Sequence, residues 1–151
     1  MTKVLFICHG NICRSPMAEF IFKKLVKEQG PEDAFEIDSA ATSREEIGND
    51  IYPPAKRCLT AHGVPFAAHR ARQITKADLA YYDYIVAMED YNIRNLQWLL
   101  GDSEKYSLLL DYTDRPGDIS DPWYSGDFGT VYKEIELGCR GLLEHIAGKQ
   151  I

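Results

Sequence analysis

Residues 3–19 read KVLFICHGNICRSPMAE and contain the strongest structural signal in the chain. Val4 to Ile7 form an uninterrupted apolar run, which is typical of a strand buried on both faces of a parallel sheet. The run ends at Cys8, and a short polar loop follows. Ser15-Pro16 is then typical of a helix start, because a serine hydroxyl can cap free backbone N–H groups and a proline in the first turn loses no hydrogen bond. The stretch therefore predicts a strand, a tight loop and a helix in direct succession.

The loop between this strand and this helix is suited to bind an anion. Its successive backbone N–H groups can form a nest, and the helix N-terminus adds positive potential. Gly10 and Asn11 tolerate the left-handed backbone that such a nest needs. Cys8 can supply a thiolate nucleophile stabilised by this field, and Arg14 can bind two oxygens of a phosphate-like group. These residue types indicate a phosphoryl-transfer site with a covalent cysteine intermediate.

The same residues resemble the phosphate loop of the low-molecular-weight protein tyrosine phosphatases. Cys8, Arg14 and Ser15 fulfil the Cys-x5-Arg-Ser pattern of that family, and the longer run from Gly10 to Pro16 is similar to this family rather than to phosphatases in general. The resemblance covers essentially the full length of the chain. It implies that Cys8 is the nucleophile, that Arg14 holds the phosphate oxygens and that Ser15 stabilises the thiolate. It also implies that the substrate phosphate is bound by the rest of the loop, namely His9, Gly10, Asn11, Ile12, Cys13 and Ser15.

A general acid is the second catalytic group that this chemistry needs. Residues 119–124 read ISDPWY. By residue type alone Asp-Pro is an ordinary turn signal, and several nearby aspartates are equal candidates: Asp111, Asp114, Asp118 and Asp127. The resemblance singles out Asp121, followed by proline and two aromatic residues, as the group that protonates the leaving oxygen and then activates water. It further implies that Trp123 and Tyr124 form the walls of a slot for the phenol ring.

Two residues elsewhere are implied by the resemblance to support the loop. Ser39 lies near the end of the second predicted strand and would hydrogen-bond to the Asn11 side chain, although by residue type alone it is an ordinary strand-terminal serine. His69 would brace the loop through Asn11. A lone histidine is more often structural than catalytic, so we expect support rather than proton transfer from His69.

Glu45 departs from the pattern of the family. It belongs to the polar segment 42–50, which is expected to form a surface loop over the site. Several tyrosine-specific relatives carry an aromatic wall residue about where Glu45 stands. A carboxylate cannot stack on a phenol ring and repels a dianion, so Glu45 is expected to change how phosphotyrosine and its flanking residues bind.

Strands alternating with helices predict an α/β fold, a three-layer sandwich around a parallel sheet. Strands are predicted over residues 4–7, 35–40, 84–88 and 107–110. After the first helix, further helices are predicted over 52–63 with Gly63 as the C-cap, from Thr75 with a capping box, from Asp90 as a cap, and from about Phe128. The resemblance implies a four-stranded sheet in the order 2-1-3-4 with helices on both faces, which puts the first loop at the topological switch point.

Composition limits the remaining possibilities. At 151 residues, with 45% hydrophobic and 26% charged residues, the chain is expected to form one soluble domain over 1–151. We expect no membrane association and a cytoplasmic location, because no apolar run approaches the ~20 residues of a membrane span and no secretory signal is recognisable. A net charge of −6 without a basic stripe argues against nucleic-acid binding. The expected partners are phosphotyrosine-containing proteins, and phosphate- or sulfate-like anions in the loop.

The four cysteines do not predict a cofactor or a metal. No Cys-x2-Cys pair is present, and Cys8-His9 adjacency is poor for joint ligation. Cys58 and Cys139 are expected to lie in the core. Cys13 is expected to pack under the loop, and the resemblance suggests that it can trap oxidised Cys8 as a reversible disulfide.

Three alternatives to a tyrosine phosphatase share the loop chemistry. A related branch removes phosphate from arginine and favours threonine where this chain has Ile12, so Ile12 and the aromatic pair at 123–124 argue for phosphotyrosine. Arsenate reductases share the scaffold but need resolving cysteines, whereas Cys58 and Cys139 are expected in the core. A non-catalytic phosphate-binding module would not need both Cys8 and Asp121. The tyrosine phosphatase is therefore the first hypothesis.

Overall fold

A single four-stranded parallel sheet organises the computed structural model of this chain, which describes residues 1–30 and 32–149. Its strands run in the order β2-β1-β3-β4, which confirms the predicted order. The strands are β1 (Thr2–Cys8), β2 (Phe35–Ala41), β3 (Tyr84–Ala87) and β4 (Tyr106–Leu108). In β1 the apolar run from Val4 to Ile7 is completely buried, because this strand has a neighbour on both edges and helices on both faces.

Helices cover both faces of the sheet, as predicted. They are α1 (Arg14–Gln29), α2 (Pro53–Ala61), α3 (Lys76–Tyr81), α4 (Asp90–Leu100), α5 (Pro122–Ser125) and α6 (Phe128–Lys149). Val4 and Phe6 of β1 pack into one apolar cluster with residues of α1, α2 and α6. Leu5 and Ile7 point to the other face and pack with residues of α3 and α4. The strand alternation thus divides the core into two layers.

The fourth strand differs from its prediction over residues 107–110. β4 ends at Leu108, and Leu109–Tyr112 form a short 3₁₀ helix instead. The Asp111 side chain accepts a hydrogen bond from the Leu108 backbone N–H at 3.0 Å, which favours this turn over an extended chain. Leu109 and Leu110 are nevertheless buried, because the 3₁₀ helix packs under α6. An apolar run alone does not distinguish these two conformations.

Three predicted helix caps also differ from the structure. Ser15 is not the cap of α1, since the helix begins at Arg14 with Cys13 in the N-cap position. Asp90 is the first residue of α4 and Glu89 is its N-cap. Gly63 adopts a left-handed backbone (φ +69°) but follows His62, which is the C-cap of α2. The capping box at Thr75 is confirmed.

The two cysteines that were expected in the core have different environments. Cys139 of α6 is completely buried, as predicted. Cys58 is only half-buried, because α2 turns Ala55 and Leu59 toward the core and leaves Cys58 at its edge, with Sγ 3.6 Å from the carbonyl oxygen of Phe128.

The carboxyl ends of β1 and β2 lie side by side, and the chain segments that follow them are joined by backbone hydrogen bonds. Thr42 N–H donates to the Cys8 carbonyl at 3.1 Å, and Ser43 N–H donates to the His9 carbonyl at 3.0 Å. This edge contains the switch point of the sheet, where parallel α/β folds bind ligands. None of the described helices is long and apolar enough to cross a membrane.

Candidate active site

The loop from Cys8 to Ser15, called loop 8–15 below, holds a buried thiol at its centre. Cys8 ends β1 and Arg14 begins α1, so the loop is fixed at both ends by regular structure. Cys8 Sγ accepts a hydrogen bond from the Asn11 backbone N–H at 3.3 Å and lies 3.0 Å from Ser15 Oγ. Because Ser15 does not cap the helix, its hydroxyl is free for this contact.

Asn11 maintains the curvature of the loop. Its backbone is left-handed (φ +61°), a conformation that asparagine adopts more readily than most residues. Its buried amide donates to Ser15 Oγ at 2.8 Å and to Ser39 Oγ at 3.0 Å, and accepts from the Arg72 backbone N–H at 3.3 Å. The side chain therefore connects loop 8–15 to β2 and to the segment before α3.

Gly10 does not need a left-handed backbone, contrary to the sequence prediction. Residues with positive φ in the described chain include Asn11 but not Gly10. A Cβ atom on Gly10 would instead lie 3.3 Å from Cγ of Glu46. Glycine at this position allows segment 42–50 to approach the loop closely.

Ser39 and His69 make the contacts with Asn11 that the resemblance implied. His69 Nε2 lies 2.7 Å from the Asn11 carbonyl oxygen, behind the loop. Ser39 Oγ accepts from Asn11 and donates to Glu19 Oε1 at 2.6 Å. Glu19, which sequence reasoning did not identify, is buried and also bonds Lys23 at 2.6 Å. Its contact with Ser39 depends on how α1 packs against β2, which the sequence does not show.

Arg14 is almost completely buried and has three partners. Its Nη1 donates to the Ile119 carbonyl at 2.8 Å, and its two terminal nitrogens lie 3.2 and 3.3 Å from the carboxylate oxygens of Glu89. Its Nη2 lies 3.5 Å from Asp121 Oδ2. Burial opposes the positive charge, but Cys8 and Glu89 outweigh burial and raise the pKa of Arg14 above its ordinary value. The guanidinium therefore remains charged.

Sequence reasoning missed Glu89. It immediately precedes α4 and follows the end of β3 by two residues, so it lies at the same edge of the sheet as Cys8. A carboxylate at a strand end next to the switch point was the signal that could have identified it.

Asp121 reaches the same site from the other end of the chain. As N-cap of α5 it accepts the Trp123 N–H at 2.9 Å with Oδ1, which leaves Oδ2 directed at Arg14. Of the five aspartates that were candidates for the general acid, all in the described part of the chain, Asp121 alone lines the cavity. Three of the others accept hydrogen bonds from backbone N–H groups instead: Asp111 from Leu108, Asp118 from Asp90 and Asp127 from Thr130.

These side chains surround a cavity of about 260 Å³. Loop 8–15 supplies one part of the lining, segment 42–50 a second and α5 a third. The lining residues are Cys8, His9, Gly10, Ile12, Cys13, Arg14, Glu45, Glu46, Asp121, Trp123 and Tyr124. Asn11 and Ser15 do not line it, because their side chains are completely buried and hold the loop from within.

The aromatic part of the lining is exposed. Trp123 is about half exposed, and its ring packs against Tyr52 with centroids 4.8 Å apart. Tyr124 is 87% exposed, so its ring is available for contact. Together they can cover the flat face of an aromatic group that enters the cavity.

Cys13 differs electrostatically from Cys8. Its burial, together with the nearby Cys8, raises the pKa of Cys13 to about 12, so it is a thiol at neutral pH. No group of three or more His, Cys, Asp or Glu side chains in the described chain is arranged to hold a metal ion.

Comparisons with known proteins agree with the geometry of this cavity. A family model described as low molecular weight phosphotyrosine protein phosphatase matches residues 3–151. The chain is 44% identical over 148 residues to the low molecular weight phosphotyrosine protein phosphatase of Homo sapiens, with 93% of each chain covered.

Solved structures of similar chains share the fold over nearly their full length. The crystal structure of YfkJ from Bacillus subtilis, a low molecular weight protein-tyrosine-phosphatase, matches with a TM-score of 0.96 and 39% identity, covering 100% of this chain and 98% of that chain. The crystal structure of DARP, a Drosophila arginine phosphatase, matches with a TM-score of 0.87 and 33% identity, covering 96% and 98%.

Proposed function

Because the chain belongs to the low molecular weight phosphotyrosine protein phosphatase family, which its loop sequence predicted, we propose that it hydrolyses phosphotyrosine monoesters in proteins through a phosphocysteine intermediate on Cys8. Its relatives are protein-tyrosine-phosphatases, which are phosphoric monoester hydrolases. The observation that carries the proposal is that Cys8, Arg14 and Asp121 line one cavity, although they come from two distant parts of the chain.

In the first step the Cys8 thiolate attacks the phosphorus atom and the tyrosine oxygen leaves. The N–H groups of loop 8–15 and the Arg14 guanidinium bind the equatorial oxygens, where negative charge must be accommodated in the transition state. Asp121, which must be protonated in this step, donates its proton to the leaving oxygen. The Asp121 carboxyl lies 3.5 Å from Arg14, so it is beside the group that would hold the phosphate.

In the second step Asp121 acts as the base. It removes a proton from a water molecule, which attacks the phosphocysteine and releases phosphate and the Cys8 thiolate. Ser15 Oγ, 3.0 Å from the sulfur, can donate a hydrogen bond to the thiolate both as it attacks and as it leaves. This sequence uses only groups of the chain and water.

Phosphotyrosine is favoured over smaller phosphate esters by the aromatic side chains. Trp123 and Tyr124 line the same cavity as the buried thiol and are exposed, so they can contact the phenol ring of a bound phosphotyrosine. Phosphoserine would not reach them. Ile12 supplies a further apolar contact and stands where the arginine-specific branch favours threonine.

A thiol relay of the arsenate reductase type is not favoured by the cysteines. Cys139 is completely buried, and burial raises its pKa well above the ordinary range. Cys58 contacts Phe128 at the edge of α2 and does not line the cavity. Neither thiol is placed to resolve a covalent intermediate on Cys8.

We place the protein in the cytoplasm, with phosphotyrosine-containing proteins as its substrates and phosphate- or sulfate-like anions as ligands of loop 8–15. The mechanism requires Cys8 to stay reduced, and Cys13 is a neighbour in the same loop. A reducing compartment protects such a pair of thiols. With a net charge of −6 we expect no nucleic-acid partner, and we expect no membrane partner.

The test is phosphate release from three peptides of one sequence that carry phosphotyrosine, phosphoarginine or phosphoserine. We expect turnover of phosphotyrosine that is lost in Cys8→Ser, and a bell-shaped dependence of kcat/KM on pH, because one group must be ionised and another protonated. Asp121→Asn should remove the limb that reports the acid. Faster turnover of phosphoarginine would assign the chain to the arginine-specific branch, and no turnover by folded, reduced protein would contradict the proposal.

A further inference from the structure

A hydrogen bond at the cavity joins the residue that follows the nucleophile to the segment over the site. His9 Nε2 is 3.0 Å from Glu45 Oε2, and both residues line the cavity. The Glu45 side chain is 69% exposed and the His9 side chain 38% exposed, so the pair lies at the entrance rather than at the buried thiol. His9 is attached directly to Cys8. The Glu45 carboxylate is therefore held near any phosphate group bound in the loop.

Glu46 adds a second carboxylate to the same entrance. Its Cγ lies close to Gly10, and its Oε2 accepts a hydrogen bond from Asn49 at 2.6 Å. Among the charged residues that line the cavity, Glu45, Glu46 and Asp121 are acidic and Arg14 is basic. Arg14 is buried and paired with Glu89, so it does not neutralise the entrance.

The charges of the cavity are thus separated by depth. The deep part holds Arg14 and the backbone N–H groups of loop 8–15 and suits a dianion, whereas the entrance carries Glu45 and Glu46 and suits a cation. A phosphotyrosine side chain would place its phosphate in the deep part and the neighbouring residues of the peptide at the entrance. A lysine or arginine there would be attracted by Glu45 and Glu46, and an acidic residue would be repelled.

Resting on the proposed phosphotyrosine activity, we propose that the His9–Glu45 pair, together with Glu46, determines substrate specificity at the entrance. It selects phosphotyrosine peptides with a basic residue next to the phosphotyrosine over peptides with an acidic residue there. In this arrangement His9 positions the Glu45 carboxylate, and the carboxylate contacts the substrate. Segment 42–50 thus recognises the charge of the residues that flank the phosphotyrosine.

The test uses three phosphotyrosine peptides that differ only in having lysine, alanine or glutamate on both sides of the phosphotyrosine, with para-nitrophenyl phosphate as a substrate without flanking residues. We expect kcat/KM to fall in the order lysine, alanine, glutamate, with about a five- to tenfold difference between the extremes at low ionic strength, as exposed charge pairs allow. The difference should shrink as salt is raised from 20 to about 300 mM, since these charges are exposed.

Variants separate a charge effect from a structural one. Glu45→Gln should reduce the lysine-to-glutamate ratio to about twofold, and His9→Leu should reduce it through the same carboxylate, so the double variant should show little further change. Glu144→Gln, which removes the same charge from an exposed position on α6 outside the cavity, should keep the wild-type ratio. A merely structural role of Glu45 would lower turnover of all three peptides equally and leave the ratio unchanged.

The outcomes distinguish this inference from the function on which it rests. Equal kcat/KM for the three peptides, with normal turnover of each, would overturn the specificity proposal alone. A ratio that survives Glu45→Gln would overturn the role of the pair. No turnover of any peptide or of para-nitrophenyl phosphate would overturn the proposed function and this inference together.

Discussion

The Glu89 carboxylate contacts the Arg14 guanidinium through both of its oxygens, with Oε2 3.2 Å from Nη1 and Oε1 3.3 Å from Nη2. A two-point contact between a carboxylate and a guanidinium fixes the plane of the guanidinium as well as its position. Arg14 is also held by the Ile119 carbonyl. The orientation in which Arg14 meets a phosphate is therefore set by residues that sequence reasoning did not identify.

Removing the Glu89 carboxylate should impair catalysis. Hydrogen bonds to charged groups contribute about 1.5–3 kcal/mol, so we expect Glu89→Ala to lower kcat/KM for phosphotyrosine peptides by about tenfold to a hundredfold. Glu89→Gln, which keeps one acceptor, should lose less. The matched control is Asp90→Asn, which removes the adjacent exposed carboxylate that pairs with Arg94. Wild-type kcat/KM in Glu89→Ala would show that Arg14 is oriented without Glu89.

The first three strands and the loop between β1 and α1 could be predicted from the sequence because they are local patterns. The run from Val4 to Ile7 and the residue types of loop 8–15 lie within one short stretch. Contacts between Arg14 and Glu89 or Ile119 depend on how distant segments pack, and a single sequence carries no pattern for them. The 3₁₀ helix Leu109–Tyr112 was missed for a different reason, since an apolar run is compatible with more than one backbone conformation.

The left-handed backbone of Asn11 should be visible in stability measurements. Both Asn11→Ala and Asn11→Gly remove the side-chain hydrogen bonds to Ser15 and Ser39. Alanine additionally pays about 1–2 kcal/mol for the left-handed conformation, which glycine adopts freely. We therefore expect Asn11→Gly to unfold at a higher urea concentration than Asn11→Ala, and both variants to lose activity. The reverse order of urea midpoints would mean that the loop relaxes to a right-handed backbone.

Asp78 should make the stability of the protein depend on pH. Its burial opposes ionisation, but hydrogen bonds from Arg72 and Thr75 outweigh burial and lower the pKa of Asp78 below its ordinary value of 3.8. A lowered pKa gives stabilisation that is present above the ordinary pKa and is lost as the pH falls through the lower value. At pH 7 the free energy of unfolding of Asp78→Asn should therefore be about 1 kcal/mol lower than that of the wild type, because a typical hydrogen bond contributes about that much to stability.

The difference between Asp78→Asn and the wild type should shrink as the pH falls from the ordinary pKa of 3.8 through the lower pKa of Asp78 in the folded protein, because the wild-type carboxyl is then protonated as well. Urea unfolding at pH 7, 5, 4 and 3 measures this difference in the free energy of unfolding. The control is Asp114→Asn, which changes a carboxylate at an exposed position. If the difference in stability between Asp78→Asn and the wild type stays constant with pH, the effect is due to packing rather than to the charge of Asp78.

Mild oxidation should affect Cys8 and Cys13 as a pair. The pKa of Cys13 is raised to about 12 by burial and by Cys8, so Cys13 is a protonated thiol at pH 7 and should not react with peroxide first. We expect Cys8 to be oxidised to a sulfenic acid and then captured by Cys13 as a disulfide, which dithiothreitol reverses. In Cys13→Ser we expect sulfinic acid on Cys8. Peptide mass spectrometry that finds sulfinic acid on Cys8 in the wild type, with Cys13 still a free thiol, would contradict this.

Two glycines of α6 should be necessary for its packing on the 3₁₀ helix Leu109–Tyr112. A Cβ atom on Gly141 would lie 2.1 Å from the Tyr112 carbonyl oxygen, and one on Gly138 would lie 2.5 Å from Leu109 Cγ. In an open helix position, alanine is more stable than glycine by about 1 kcal/mol. At Gly141 the contact is with backbone, which cannot move aside as a side chain can. Gly141→Ala should therefore destabilise the protein, by about 1–3 kcal/mol, instead of stabilising it.

The matched control for Gly141→Ala is Gly129→Ala in the same helix. There a Cβ atom would meet only Asp127 Oδ1 at 3.7 Å, an ordinary contact, so stability should be unchanged or slightly higher. Leu109 could adjust to Gly138→Ala more easily than backbone can, so that variant should fall between the other two. Urea or thermal unfolding of the three variants tests this order. An unchanged midpoint in Gly141→Ala would mean that α6 and the 3₁₀ helix can separate without loss of core packing, which the burial of Leu109 and Leu110 argues against.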